Sequence, residues 1–313
     1  MSILTRLNSI LPGVKGPKKN LSLKEKLIWT GLILVIFYVM SQIPIFGMAE
    51  ASFERFQTFE TILGASMGSL ITLGIGPIVS ASIILQLLVG SEIIPWDLNS
   101  QEGQAKFQGT QKLLAFIIAL IEAVAYVVMG AIAPLRPTPA FFAVVIFQVA
   151  LGGWLIIFLD EIISKWGFGS GVGLFIVAGV SKTIIIGSLS PLNSAGQLFS
   201  LAGGDPVGII PAFITGLAKG AADPFILIPL LMTVFIFVIA VYAQAMRVEI
   251  PLTMGNVRGF GRKWPLKFIY TSVLPVILVS ALLANIRLWA TVLADRGVDL
   301  VIGGFHLIGE VGS

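Results

Sequence analysis

The sequence predicts an all-α fold: a polytopic bundle of seven transmembrane helices, with a re-entrant half-helix and a partial inverted repeat. Three observations predict it. The 313-residue chain is 56% hydrophobic and 12% charged, with a mean hydropathy of +0.97, whereas a soluble domain carries about twice that charge. Its apolar residues gather in seven runs near the length of a bilayer crossing. One further stretch, 58–90, is too apolar for a surface loop and too broken for one straight helix. There is no cysteine, hence no disulfide framework, thiolate metal site or cysteine nucleophile, and the single His306 rules out a histidine metal cluster.

Residues 1–26 are a cytoplasmic segment, amphipathic and then basic. Ile3, Leu4, Leu7 and Leu11 recur at helical spacing and Pro12 ends the run, which predicts a short helix on a membrane surface. Lys15, Lys18, Lys19, Lys24 and Lys26 follow. Each contributes about 1 kcal/mol against an anionic leaflet, or the cluster is a topology signal alone. Span 1 is the uncharged run 27–49, too long for a signal-peptide core and without a small-residue cleavage site. Glu50, Glu54 and Glu60 against the lone Arg55 make the next segment acidic and external. Residues 58–69 have about one helix-worth of apolar surface; at ~1.5 Å per residue they cannot cross a ~30 Å layer. Span 2, 73–89, is just long enough, although Gly74, Gly76 and Pro77 loosen its first turn. Broken helices persist at membrane depth only inside protein or beside a water-filled cavity. The stretch therefore reads as a re-entrant half-helix plus a span beside a pathway, or as one kinked span with an external loop; its residues leave the two level.

Residues 91–112 form a polar connection. Span 3, 113–135, is interrupted only by Glu122, and Arg136, Pro137 and Pro139 mark an external turn. Span 4 runs to Leu159, and Asp160, Glu161 and Lys165 make a short cytoplasmic turn. Span 5 covers 169–186, with Lys182 near its far end. Residues 188–223 are an external loop with some interfacial helix, and span 6 is the uncharged run 224–246. The loop 247–267 carries Arg247, Arg258, Arg262, Lys263 and Lys267 against Glu249 alone; span 7 covers 268–286. Positive charge peaks before span 1 and between spans 6 and 7, which puts the N-terminus and that loop in the cytosol and Ser313 outside. A seven-helix receptor in its usual orientation is thereby excluded. The organisation is an N-terminal half (27–187), the external loop (188–223) and an incomplete C-terminal half (224–313).

PIVSAS at 77–82 in span 2 and PVILVS at 275–280 in span 7 share a Pro, two branched aliphatics and a Ser five residues after the Pro. The two spans enter the membrane from opposite sides, so a repeat here is inverted, the arrangement that marks the pathway of many transport proteins. Alone, six residues do not establish it. The glycines at 167, 169, 171 and 173 fit no GxGxxG register and follow no strand. They suit a pliable cytoplasmic start to span 5 and close helix packing. Glu122 is the one carboxylate deep in a span. It costs about 2.5–3.5 kcal/mol to insert, so it is either functional or a hydrogen-bonded structural group. No second ionisable group lies at mid-depth to make a proton relay, and no nucleophile–base pair, acid pair or phosphate loop supports an enzyme.

The stretches LITLGIGPIVSASIILQLLVGS, FQGTQKLL, LDEIISKWGFGSGVGLFIVAGVS, MRVEIPL and PLKFIYTSVLPVILVSALLANI resemble the SecY family, the central (alpha) subunits of the Sec protein-conducting channel. The form of MRVEIPL and the loop after it is similar to the archaeal and eukaryotic branch. The resemblance covers nearly all of spans 1 to 7. The family has ten spans in two inverted halves, so one pore-ring position, the second large cytoplasmic loop and part of the gate's far side fall outside this sequence.

The resemblance implies a passive channel in the cell membrane, not an enzyme and without a cofactor. Unfolded polypeptide crosses it through an hourglass pore or leaves sideways into lipid. The ring at the constriction would be Ile75, Val79, Val172, Ile176, Leu274 and Ile277; branched aliphatics there dewet and block ions yet deform around a chain, although composition alone fits plain packing equally well. The plug would be 58–69, with Thr61, Ile62, Leu63, Gly64, Ala65, Ser66, Met67 and Gly68 at its centre. Ser80, Glu122 and Asn285 would form the hydrogen-bonded lateral gate. Arg258, Arg262 and Lys263 would meet the ribosome, or serve topology alone. The implied partners are small single-span SecE-like (gamma) and Sec-beta subunits, the ribosome, signal peptides and nascent chains, and membrane lipid, with no DNA. A secondary transporter of small solutes built on an inverted repeat is the second reading.

Overall fold

The computed structural model describes residues 13–19, 21–49, 65–66, 68–128, 130–193, 198, 206–220, 223–252, 262–267, 279, 282–283, 286, 300–302 and 305–308. It is mostly helical. The chain divides into two compact units, Met1–Val180 with Ile277–Ser313, and Ser181–Val276.

In the first unit, α1 (Leu23–Gln42) starts at a capping box. Ser22 Oγ accepts from the Glu25 N–H at 3.3 Å, while the Ser22 N–H donates to Glu25 Oε2 at 2.7 Å. Beyond a charged first turn (Lys24, Glu25, Lys26) the helix is largely apolar, yet it buries only the stripe Thr30, Ile33, Phe37 and Met40 with Ser41. It ends at Gln42, seven residues before the apolar run does. Pro44 disfavours helix at Ile43, and the rest of the predicted span 1 becomes non-helical backbone with a turn at Phe46 and Gly47. This segment pairs on both sides. The Ile45 N–H donates to Gly68 O (2.8 Å) and the Leu70 N–H to Ile43 O (3.0 Å); the Ala49 N–H donates to Ala133 O (2.9 Å) and the Leu135 N–H to Gly47 O (2.7 Å).

Residues 68–75 are a chain of tight turns, with N–H to C=O bonds from Thr72 to Ser69, Gly74 to Ile71 and Gly76 to Leu73 at 2.9–3.1 Å. Ile71, Leu73 and Ile75 are fully buried there. Helix α2 (Gly76–Gly90) then begins, with Pro77 in its first turn. At 15 residues it spans about 22 Å, short of a ~30 Å layer. Span 2 is thus shorter than its apolar run. Gly74 (φ +53°) and the Gly76–Pro77 pair do more than loosen a turn: they exclude 73–75 from the helix.

Helix α3 (Gln101–Val128) starts twelve residues before the predicted span 3 and stops seven before its predicted end. Ser100 caps it, with Oγ accepting from the Gly103 N–H at 3.0 Å. Its buried stripe repeats Ala115, Ala119 and Ala123, small residues that let α2 and α4 approach closely. Helix α4 (Pro139–Trp166) continues through Asp160, Glu161 and Lys165, so these form its last two turns and not the predicted connecting turn. It packs on α1 and α3. Gly152 and Gly153 are the contact with the broken segment: a Cβ on Gly152 would overlap the Leu70 carbonyl, and one on Gly153 would lie 3.0 Å from Leu73 Cδ1 and 3.2 Å from Ala119 Cβ. Helix α5 (Gly171–Leu189) follows close to the predicted span 5, and the division between the two units falls within it.

In the second unit, α6 (Ile209–Ala218) is a short apolar helix within the predicted external loop. A 3-10 turn (Pro224–Leu227) leads into α7 (Ile228–Ala245), as span 6 predicts. Next comes a departure from all-α: β1 (Arg247–Leu252) pairs antiparallel with β2 (Arg262–Lys267). A second hairpin joins β3 (Leu300–Ile302) and β4 (Phe305–Ile308), in the first unit. Four helices among the described residues, Gln101–Val128, Pro139–Trp166, Gly171–Leu189 and Pro224–Ala245, are long and apolar enough to cross a membrane. Most of the predicted span 7, and with it the second half of the repeat, lies outside the described residues.

Candidate functional site

Ile75 is the last residue before α2, and Val79 lies in that helix's first turn. Val172 and Ile176 lie on the first two turns of α5, four residues apart and so on one face. The fold brings these four predicted ring positions to one apolar cluster. Ile75 and Val79 are 0% and 1% exposed; Val172 and Ile176 are half-buried against the same cluster, with Ile33 and Phe37 of α1 and Ile156 of α4. Phe175, between the two α5 positions, stacks on Phe37 with centroids 4.6 Å apart. Such a surface offers an ion no ligand and an apolar chain no fixed partner. Leu274 and Ile277 lie outside the described residues.

One residue beyond Val79, the polar pair begins. The Ser80 hydroxyl donates to the Glu122 carboxyl across the α2–α3 contact, and both residues are buried. Glu122 lies six residues before the end of α3. Tyr126, one turn on along the same buried face, is 3% exposed. Sequence reading missed it; its i+4 spacing from Glu122 was the available signal. Asn285 lies outside the described residues.

Of the predicted plug, Thr61, Ile62, Leu63, Gly64 and Met67 lie outside the described residues. Ala65 packs against the apolar cluster. Ser66 O accepts from Ser69 Oγ at 2.7 Å, and Gly68 adopts φ +79° and gives its carbonyl to Ile45. The end of the plug stretch is therefore bound into the fold by backbone hydrogen bonds. Gln148 of α4 adds a clasp: its Nε2 donates to Phe46 O and its Oε1 accepts from the Phe46 N–H, both at 3.0 Å.

At the opposite end of α4, side chains read as a turn organise three elements. Glu161 accepts from Lys112 (2.6 Å), Lys165 (2.7 Å) and the Val14 N–H (3.2 Å). The Trp166 indole donates to Lys15 O at 2.9 Å and its ring lies 5.2 Å from that of Trp29. Residues 14–15 are thus strapped across the end of α4. Arg262 and Lys263 begin β2, opposite Leu252 and Pro251; Arg258 lies outside the described residues.

The SecY family profile matches residues 69–309. The protein translocase subunit SecY of Methanothermobacter thermautotrophicus is 48% identical over 301 residues, covering 94% of this chain and 64% of the relative. The chain thus spans just under two thirds of that relative's length. Among solved structures, Sec61 in the canine ribosome-channel complex from the endoplasmic reticulum matches with a TM-score of 0.78 at 42% identity, over 98% of this chain and 68% of the other. A SecY structure concerned with how the plug domain stabilises the closed state of the translocation channel and maintains a membrane seal matches with a TM-score of 0.76, at the same identity and coverage.

Proposed function

This chain belongs to the SecY family, and we propose on that premise that it forms the central part of a passive, multi-pass protein-conducting channel. Unfolded secretory polypeptides cross through it, and apolar segments leave it sideways into lipid. The observation that carries this reading is the apolar cluster that gathers Ile75 and Val79 from the start of α2 with Val172 and Ile176 from the start of α5. A constriction of branched aliphatics excludes hydrated ions when empty and yields to a chain in transit. The solute-transporter reading gains nothing from a family whose relatives are named protein translocase subunits. The experiment is conductance of the assembled channel in a planar bilayer. Val79→Ser, alone and with Ile75→Ser, is expected to raise the resting ion leak. A leak equal to the parent's in both would remove the ring.

Ser80 and Glu122, with Asn285, are the proposed lateral gate. A hydrogen bond in a membrane contributes about 0.6–2 kcal/mol, enough to bias a gate without locking it. Ser80→Ala removes that bond from the closed side. It is expected to lower the hydrophobicity at which a graded Leu/Ala test segment enters the bilayer instead of crossing. An unmoved threshold for both Ser80→Ala and Glu122→Gln would make the pair a packing feature.

Arg258, Arg262 and Lys263 are proposed to meet the ribosome, whose RNA attracts clustered cations; a similar chain, Sec61, is known in a ribosome-channel complex. Small SecE-like and Sec-beta subunits, signal peptides and lipid complete the proposed partners. The N-terminus is proposed to be cytoplasmic, from the charge distribution. Because the chain has no cysteine, Ser52→Cys is expected to label from outside and Asn256→Cys from the cytosol. Labelling of both from one side would overturn the topology.

A further inference from the structure

We propose that Asp160 is a positioning residue for the pore: from the end of α4 it holds the first turn of α5, and so fixes where Val172 and Ile176 point. This rests on the ring reading above. Asp160 Oδ1 accepts from the Val172 N–H at 3.0 Å, and the same carboxylate accepts from the Gly171 N–H. These are the first two N–H groups of α5, among the four that every helix leaves without an internal partner. A negative charge there also suits the helix dipole. An ordinary cap comes from the residue just before the helix and closes that helix alone. Asp160 belongs to the preceding helix, so its bonds join two helices at a set angle.

The surroundings leave the arrangement little freedom. A Cβ on Gly171 would lie 2.6 Å from Asp160 Cα and 2.5 Å from Oδ1, so α5 begins in direct contact with the backbone of α4. The other end of the intervening turn is held from α1. The Phe168 N–H donates to Thr30 Oγ1 at 3.1 Å, and that hydroxyl donates to Lys26 O at 2.9 Å. The neighbouring Glu161 is engaged by Lys112 and Lys165, which leaves the α5 N–H groups to Asp160. Val172 follows the capped Gly171 directly, and Ile176 lies one turn on. Sequence reading placed Asp160 in a short cytoplasmic turn and gave it no role.

The test uses the cysteine-free background. Val79→Cys and Val172→Cys are introduced together in the full chain in its membrane, and the rate of bridging by a short bis-maleimide is followed. Asp160→Ala is expected to slow bridging several-fold, and Asp160→Asn, which keeps the acceptor oxygen, to restore it. Bridging at the parent rate in Asp160→Ala, or equally slow bridging in Asp160→Asn, would overturn the proposal. So would loss of folded protein in both Asp160→Ala and Asp160→Ser while Asp160→Asn folds, since that outcome assigns Asp160 to folding. The ring reading is checked separately by the conductance of Val172→Ser. An unchanged leak there removes the ring while the bridging rates still report on the cap.

Discussion

Gly152→Val is expected to leave little folded protein in the membrane, a larger loss than any other single core substitution proposed for this chain. The reason is what the new side chain meets. Its Cβ would occupy the space of the Leu70 carbonyl, which is backbone and not the tip of a pliable side chain. Leu70 cannot withdraw easily, because its own N–H donates to Ile43 O and its neighbours Ser69 and Ile71 are buried. Moving it would break the pairing between the α1 exit and the broken segment, leaving buried backbone groups unmet at about 1–3 kcal/mol each. Gly153→Ala sets the scale. Its new methyl meets Leu73 Cδ1 at 3.0 Å, which can rotate away, and Ala119 Cβ at 3.2 Å, which moves only by a few tenths of an ångström with its helix, so a loss of about 1–3 kcal/mol is expected. The measurement is the fraction of each variant that remains monodisperse in mild detergent. A parent-like fraction for Gly152→Val would mean that the broken segment is not held against α4.

The sequence located hydrocarbon better than it located helices. Apolar runs fixed the existence of α1, α3, α4, α5 and α7, because burial in lipid is a matter of composition. Helix ends follow different physics. Helix α3 starts at Gln101 because Ser100 supplies a cap, although hydropathy turns apolar only near Leu113. Helix α1 stops at Gln42 because of Pro44, although the apolar run continues to Ala49. Charge misled the reading at Asp160, Glu161 and Lys165: ionic groups suggested a turn, but the helix carries them on into bonds with Lys112, Val14 and the start of α5. The β1–β2 hairpin was legible in principle. Val248, Ile250 and Leu252 alternate with Arg247, Glu249 and Pro251, a period-two pattern that was read for its charge and its family resemblance but not for its period.

The candidate site was legible where function and packing demand the same residue. Ile75 and Val79 came from the family resemblance; the residues themselves showed only the break that Gly74, Gly76 and Pro77 mark beside them. Glu122 stood out because a carboxylate in a span needs a partner, and Ser80 is that partner. Tyr126 did not, because a tyrosine in an apolar helix needs no explanation until its neighbour on the same face is known. Asp160 did not, because its partners are backbone N–H groups, which no residue type reveals.

Removing residues 58–64 is expected to raise the resting ion leak of the assembled channel while protein export continues. The stretch 58–69 is too short to span at ~1.5 Å per residue and too small-sided to be core, and the family resemblance implies that it is the seal. The fold holds the end of that stretch. Ala65 is packed against the apolar cluster, Ser66 O accepts from the Ser69 hydroxyl, and Gly68 O accepts from the Ile45 N–H at 2.8 Å. These residues are an anchor, and Gly68, at φ +79°, is the turn that joins it to the buried segment. A deletion of 61–68 removes anchor and seal together, so it is expected to cost folded protein as well as tightness. The shorter deletion separates the two. Conductance in a planar bilayer reports the leak, the translocated fraction of a secretory precursor reports export, and monodispersity in detergent reports folding. A parent-like leak after removal of 58–64 would deny that stretch any sealing role. Equal loss of folded protein in both deletions would make all of 58–68 structural.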